Sequence, residues 1–237
     1  APEAAAPMFA GRSYTPAPAA LADWQATLGP LGVTQGVVVQ PSFYGTDARV
    51  LLATLAAGQG RLVGIAGVDA TVSDAELDRL VAAGVRGVRM THADPNDPRT
   101  MAGLVPFSAF DALEPRLAAR GLHLQLLTDS RWLAPIAERL RRARVPVVID
   151  HMGRAPAALG TAHDGVRLLT QLLIDAPVWV KLSGAANLST AAPDYDDAAA
   201  MHRCLLAAAP QRCLWGSDWP HTLPRGTPPD TTHLLAL

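Results

Sequence analysis

Residues 61–91 read R-L-V-G-I-A-G-V-D-A-T-V-S-D-A-E-L-D-R-L-V-A-A-G-V-R-G-V-R-M-T and contain the unit from which the fold is built. The stretch begins with an apolar run that is typical of a strand buried on both faces. Ser73 and Glu76 then have the spacing of a capping box, and the helical pattern that follows ends at Gly84. A second apolar run begins at Val85. The order strand, helix, strand predicts two parallel strands joined by a right-handed crossover.

This unit recurs along the whole chain. Seven strand-like runs lie at residues 36–42, 61–68, 85–91, 123–128, 147–151, 178–184 and 212–218. They alternate with predicted helices at residues 47–58, 73–84, 107–121, 131–144, 163–175 and 196–209, after a first helix around residues 21–31. No glycine-rich phosphate loop follows any of these runs, which argues against a nucleotide-binding open sheet. The alternation predicts an α/β fold of the (β/α)8 TIM-barrel type. We expect one domain over residues 1–237 that lacks the first strand and most of the last helix of such a barrel.

Length and composition exclude several classes of protein. The 237 residues are 49% hydrophobic and 17% charged, which supplies a large apolar core and argues against disorder. The net charge of −1 offers no basic surface to nucleic acid. No apolar run reaches the roughly 18 residues that a membrane helix needs. Two cysteines, without C-x-x-C spacing, favour a reducing, cytoplasmic setting.

Polar side chains at the carboxyl ends of strands are the candidates for function, because barrel enzymes carry their chemistry there. Asp218, in L-W-G-S-D-W-P-H, could act as a general base on water or could form an Asx turn that ends the strand. His151, in V-V-I-D-H-M-G-R, could polarise a carbonyl, bind a metal or hold a neighbouring strand. Arg154 could bind a carboxylate of the substrate or pair with Asp150.

Four further residues extend this candidate site. Ser42 and Tyr44 follow the first run and are candidates for substrate binding. Arg89 lies nearer the carboxyl end of its strand than Arg86, so we expect Arg89 in the barrel mouth. Lys181 lies inside its strand, where a buried lysine needs a partner, so it either contributes to the site or pairs with a neighbouring carboxylate.

Four motifs together resemble those of a known family. G-V-V-V-Q-P-S-F-Y-G-T-D, A-G-V-R-G-V-R, V-V-I-D-H-M-G-R and L-W-G-S-D-W-P-H occur in the order typical of the amidohydrolase-2 family, in its branch of lactone hydrolases and isomerases. The resemblance covers nearly the whole chain and places His151 after strand six and Asp218 after strand eight. It implies that Asp218 deprotonates the attacking water and that His151 lies near the ring carbonyl. Ser42, Arg89 and Arg154 fall on substrate-binding positions of the family.

The chain departs from the family at several positions. The His-x-His of the family's first strand has no counterpart, and His123 lies at the beginning of its strand instead of the end. His151 and Asp218 are two ligands, whereas a catalytic zinc typically takes three and a water, so we expect neither a metal nor another cofactor. Leu127 and Asn187 stand where the pyrone-dicarboxylate hydrolases of this branch carry an aromatic residue and an arginine. This difference favours another lactone ring.

The sequence therefore predicts a metal-independent hydrolase that opens a carboxylated lactone with activated water. Its partner is this small molecule, with no nucleic acid or membrane, and a homo-oligomer is left open. Lactone isomerisation on the same scaffold is one alternative, because it also needs only acid and base groups. A catalytically inactive, truncated barrel is the other, because an open barrel exposes strand edges and the site would lack two histidines.

Overall fold

The computed structural model describes residues 7–12, 14–92, 94, 103–222 and 229–236. The chain divides into two units, Ala1–Leu126 and Leu127–Leu237. In both units the strands are parallel and alternate with helices, which confirms the predicted α/β class.

The first unit is built on parallel strands in the order β1-β2-β3-β5, with β4 paired to β3. These strands are β1 (Gly36–Val39), β2 (Leu62–Gly67), β3 (Val85–His92), β4 (Val105–Pro106) and β5 (His123–Thr128), whose last two residues belong to the second unit. Ile65 in β2 and Val88 in β3 are completely buried, as strands covered on both faces require. The two-residue β4 is too short to give a periodic pattern and was not predicted.

Helices of the first unit begin and end within two or three residues of the predicted bounds in most cases. They are α1 (Leu21–Leu28), α2 (Arg49–Ala57), α3 (Asp74–Ala82) and α4 (Phe110–Ala118). The predicted cap of α3 is present, because the Ser73 hydroxyl accepts from the Glu76 amide at 3.1 Å. The Glu76 carboxylate pairs instead with Arg79, one turn further along the helix. The same helix buries Leu77 and Leu80 on one face.

In the second unit, strands β6 (Val147–Ile149), β7 (Val178–Leu182) and β8 (Cys213–Trp215) pair in that order and in parallel. The helices are α5 (Ala137–Arg141), α6 (Asp164–Asp175), α7 (Ala185–Leu188), α8 (Asp196–Ala208) and α9 (Thr231–Ala236). Val166, Leu169, Leu172 and Leu173 repeat every three or four residues along α6 and are buried, so this helix covers the sheet with one apolar face.

One predicted helix, over residues 131–144, is much shorter in the structure. Two 3-10 turns, Ser130–Trp132 and Ala134–Ile136, replace its first half. Pro135 is the second residue of the second turn, and a proline inside a regular helix removes a backbone donor and clashes with the preceding turn. Only Ala137–Arg141 remains α-helical.

Apolar side chains are exposed on β1, the first strand in the order of the first unit, and on β8, the last strand in the order of the second unit. Val37 in β1 is 58% exposed, and Leu214 in β8 is 43% exposed. Such strands can accept further pairing. In the part of the chain that the structure describes, no helix has the length and apolar character needed to cross a bilayer.

Candidate active site in the second unit

The turn after β6 has an unusual backbone at successive residues. His151 and Met152 both have a φ of 50°, and Arg154 has a φ of 53°. Non-glycine residues in this left-handed region are uncommon, cost on the order of 1 kcal/mol or more each, and tend to cluster at functional sites. The turn thus fixes His151 immediately beyond the strand, where the sequence predicts it.

The His151 ring has a defined neighbour on each nitrogen. Nδ1 lies 2.9 Å from the Ser183 hydroxyl oxygen, and Nε2 lies 3.7 Å from Oδ1 of Asp218. Ser183 follows directly after β7 and is buried. Gly184 has a φ of 72°, and a Cβ at this position would lie 3.0 Å from both Cβ and Nδ1 of His151. Glycine is therefore required there so that the ring can pack against the β7 turn.

Asp218 stands in the loop after β8 and has a φ of 55°. Its side chain is 23% exposed, so the carboxylate can be reached from solvent. Oδ2 accepts a hydrogen bond of 3.0 Å from the side-chain amide of Asn187 in α7. The β6, β7 and β8 ends thus bring together His151, Ser183, Asn187 and Asp218.

The loop that carries Asp218 is held at its far end by His221. The backbone amide of His221 donates to the Asp218 carbonyl oxygen at 2.8 Å. The His221 ring is buried, with Nε2 at 3.3 Å from the Thr231 hydroxyl of α9. Burial lowers the pKa of His221 below its ordinary value, although the nearby Asp218 carboxylate acts to raise it. His221 is therefore a neutral structural group at neutral pH.

Lys181 pairs with a buried carboxylate. Its ammonium nitrogen lies 2.7 Å from Oδ1 of Asp150, and the Asp150 side chain is completely buried. Lys181 is the single lysine of the sequence. It precedes Ser183 by two residues and so points to the same face of β7. Of the two interpretations open from the sequence, the structure supports the one in which Lys181 pairs with a neighbouring carboxylate.

The remaining predicted residues are described within their own units. Ser42 and Tyr44 form a 3-10 turn after β1, and the Tyr44 ring packs on Phe43 with centroids 4.6 Å apart. Burial, with a smaller contribution from Asp47, raises the pKa of Tyr44. Arg89 is half-buried and is the fifth of the eight residues of β3, which continues to His92.

Arg154 is half-buried, five residues after the last strand residue of β6. Two residues of this site, Ser183 and Asn187, are absent from the predicted site. Gly184, directly after a strand, was the sequence signal that could have pointed to these two residues, because a glycine at such a position indicates a close approach of the backbone to another group.

A metal centre needs more donor side chains than the described residues bring together. Within residues 7–12, 14–92, 94, 103–222 and 229–236, no group of three or more His, Cys, Asp or Glu side chains could hold a metal ion. His151 and Asp218 supply two donors, fewer than the three protein ligands of a typical catalytic zinc. These two residues do not fit a metal by themselves.

Sequence comparison relates the chain to one family of known proteins. The amidohydrolase family profile matches residues 1–237. A 4-sulfomuconolactone hydrolase of Rhizobium radiobacter is 32% identical over 221 residues, which cover 93% of this chain and 73% of that protein.

Solved structures show the same similarity. An Agrobacterium tumefaciens protein in its apo form aligns with a TM-score of 0.84 at 27% identity, covering 97% of this chain and 81% of the other. A probable 2-pyrone-4,6-dicarboxylic acid hydrolase of Acinetobacter baumannii, with citric acid bound, aligns with a TM-score of 0.78 at 27% identity, over 92% and 81% of the two chains. The predicted fold class, that of the amidohydrolase TIM barrels, is confirmed.

Proposed function

This chain belongs to the amidohydrolase family, and we propose that it is a hydrolase that opens the ring ester of a carboxylated lactone. The observation that carries the proposal is the pairing of the Asp218 carboxylate with the His151 imidazole at the ends of β8 and β6. Two similar proteins support the substrate class, one named for the hydrolysis of a sulfonated lactone and the other for that of a dicarboxylated pyrone.

In the proposed reaction Asp218 acts as the general base. The 3.7 Å between its Oδ1 and His151 Nε2 is longer than a hydrogen bond, so Oδ1 keeps lone pairs for a water proton. Asp218 takes this proton as the water oxygen bonds to the ring carbonyl carbon. The tetrahedral intermediate then breaks its bond to the ring oxygen, and that oxygen takes the proton back from Asp218. The product is an open-chain hydroxy acid.

His151 polarises the carbonyl in this scheme. If the Ser183 hydroxyl donates to Nδ1, the neutral ring carries its proton on Nε2, the nitrogen nearer Asp218. An N–H at this position can donate to the carbonyl oxygen as negative charge develops there. Ser183 thereby sets the tautomer that the reaction needs.

Arg154 binds a substrate carboxylate in this proposal, since a guanidinium can hold both carboxylate oxygens. Ser42, Tyr44 and Arg89, in the first unit, are proposed as further substrate-binding residues on the strength of their sequence motifs. A single substitution at each of these four positions tests its proposed role in substrate binding, and each substitution should raise KM.

The same proposal includes three broader points. The reaction proceeds without a resident metal, because the donors that the described part of the chain places around His151 and Asp218 are too few for one. The protein acts in the reducing cytoplasm, where two free cysteines are commonplace. Residues 1–237 form a single amidohydrolase domain, which a family match over the same range supports.

Proton release from a panel of carboxylated lactones, with and without chelator, tests the function. We expect turnover that resists chelator and falls at least about 1,000-fold in Asp218→Asn, since the variant lacks the base. The matched control is Asp194→Asn, the same change at an exposed carboxylate. Mass analysis of the product separates hydrolysis, which adds one water, from isomerisation. A folded wild-type protein with no turnover on the panel, or a fully active Asp218→Asn, would overturn the proposal.

A further inference from the structure

A short helix places a side-chain amide against the Asp218 carboxylate. The helix is α7, which follows β7 after the left-handed Gly184. The Asn187 backbone amide donates to the Gly184 carbonyl oxygen at 2.9 Å. Ala185 and Leu188, on either side of Asn187, are both buried. The backbone that carries Asn187 is therefore fixed by packing and by a hydrogen bond.

The contact makes the two Asp218 oxygens different. Oδ2 accepts from Nδ2 of Asn187 at 3.0 Å, which is normal hydrogen-bond geometry. Oδ1 faces His151 at a distance that leaves room for another donor. The hydrogen bond thus fixes the rotation of the carboxylate and presents Oδ1 towards the imidazole.

Without the hydrogen bond from Asn187, little else would hold the Asp218 side chain in one rotamer. It is partly exposed and lies in a loop, where side-chain torsions change readily. Its backbone is in the left-handed region, which persists only when neighbouring contacts hold it. A displacement of about 1 Å at a reacting group can reduce a rate by roughly 100-fold.

We propose that Asn187 is a positioning residue that orients Asp218 so that Oδ1, and not Oδ2, receives the proton of the attacking water. This inference rests on the proposed role of Asp218 as the base. An amide suits the task because it donates to the carboxylate and carries no charge of its own. Asn187 acts through Asp218 and holds no part of the substrate.

Three substitutions at one position test the inference. Asn187→Leu, of similar size, removes the donor, and we expect kcat to fall about 10- to 100-fold with KM within about threefold of wild type. Asn187→Asp places a second carboxylate against the first and should lower kcat further. Asn187→Gln keeps an amide donor and should restore part of the rate. Thr190→Ala, an exposed change just beyond α7, serves as the matched control.

Two measurements distinguish positioning from other roles. The loss in Asn187→Leu should appear in kcat and not in KM, and a crystal structure of this variant should show Asp218 rotated or in two rotamers. Wild-type kcat in Asn187→Leu, a loss expressed in KM, or Asn187→Gln no better than Asn187→Leu would overturn the inference. If Asn187→Leu fails to fold, Asn187→Asp, which keeps the side-chain shape, takes its place.

The Asp218→Asn variant in the same series separates this inference from the proposed function. An active Asp218→Asn refutes Asp218 as the base. An inactive Asp218→Asn beside an unimpaired Asn187→Leu leaves the proposed function standing and refutes the role of Asn187 alone.

Discussion

Replacing Lys181 by methionine should destabilise the protein strongly, because it leaves the completely buried Asp150 without its lysine. Removing one partner of a buried ion pair costs about 3–5 kcal/mol, since the remaining charge stays in a poorly solvating environment. For a chain of this length, each kcal/mol corresponds to roughly 2–4 °C in Tm. The variant should therefore melt roughly 6–20 °C below the wild type.

Urea unfolding of a double-mutant cycle measures this pair directly. Lys181→Met and Asp150→Asn should each lower the free energy of unfolding. The double variant should lose less than the sum of the two losses, because it removes both charges of the pair. Arg167→Met, at an exposed position on α6, is the matched loss of a cation and should change the free energy of unfolding by less than about 0.5 kcal/mol. A Lys181→Met loss below about 1 kcal/mol, or strictly additive losses, would refute the reasoning.

Two more predictions concern the loops that carry the site. Gly184→Ala should cost about 1–2 kcal/mol of unfolding free energy for its left-handed backbone and should also lower kcat, because the new Cβ meets His151 at 3.0 Å. Gly32→Ala, where the backbone is also left-handed with φ of 79° and no atom lies within 4 Å of the added Cβ, should cost similar stability and leave kcat unchanged; equal kcat in both variants would contradict this account. For His221, the folded-state pKa lies below its ordinary value of 6.5, so the unfolded chain binds the proton more readily. The stability that neutral His221 contributes to the folded state is therefore fully present above about pH 6.5 and is lost as the pH falls towards the folded-state pKa. Urea unfolding from pH 8 to pH 5 should show this loss, and His221→Gln should lack it; an identical pH slope in both proteins would contradict the assignment.

Much of the fold could be predicted because strands and helices depend on local patterns. Apolar runs such as residues 61–68 carry their own signature, and Ser73 caps α3 with a contact only three residues away. The helix predicted over 131–144 is wrong in its first half, because the leucine and arginine pattern there is helical whereas Pro135 does not fit the interior of a regular helix. The four residues of α7 are too few for any periodic signal.

The candidate site was predicted only in part, for a related reason. The strand-end rule located His151 and Asp218, because the chemistry of parallel strands collects at their carboxyl ends. The partners of these residues lie far away in sequence. Asn187 and Asp218 are separated by 31 residues, as are Asp150 and Lys181. No local pattern specifies which side chains meet over such distances, so these contacts require the three-dimensional structure.

The pairing of Lys181 with Asp150 also allows local opening of the second unit to be measured by chemical labelling. Amine-directed reagents find one side-chain target in the entire sequence, and the ammonium group of that target is paired with a buried carboxylate. Acylation at this position requires the Lys181 amine to leave Asp150, so the labelling rate, compared with that of a free amine, gives a protection factor for this ion pair at the ends of β6 and β7. A ligand that binds at their ends and slows the labelling would be detected without any assay of turnover.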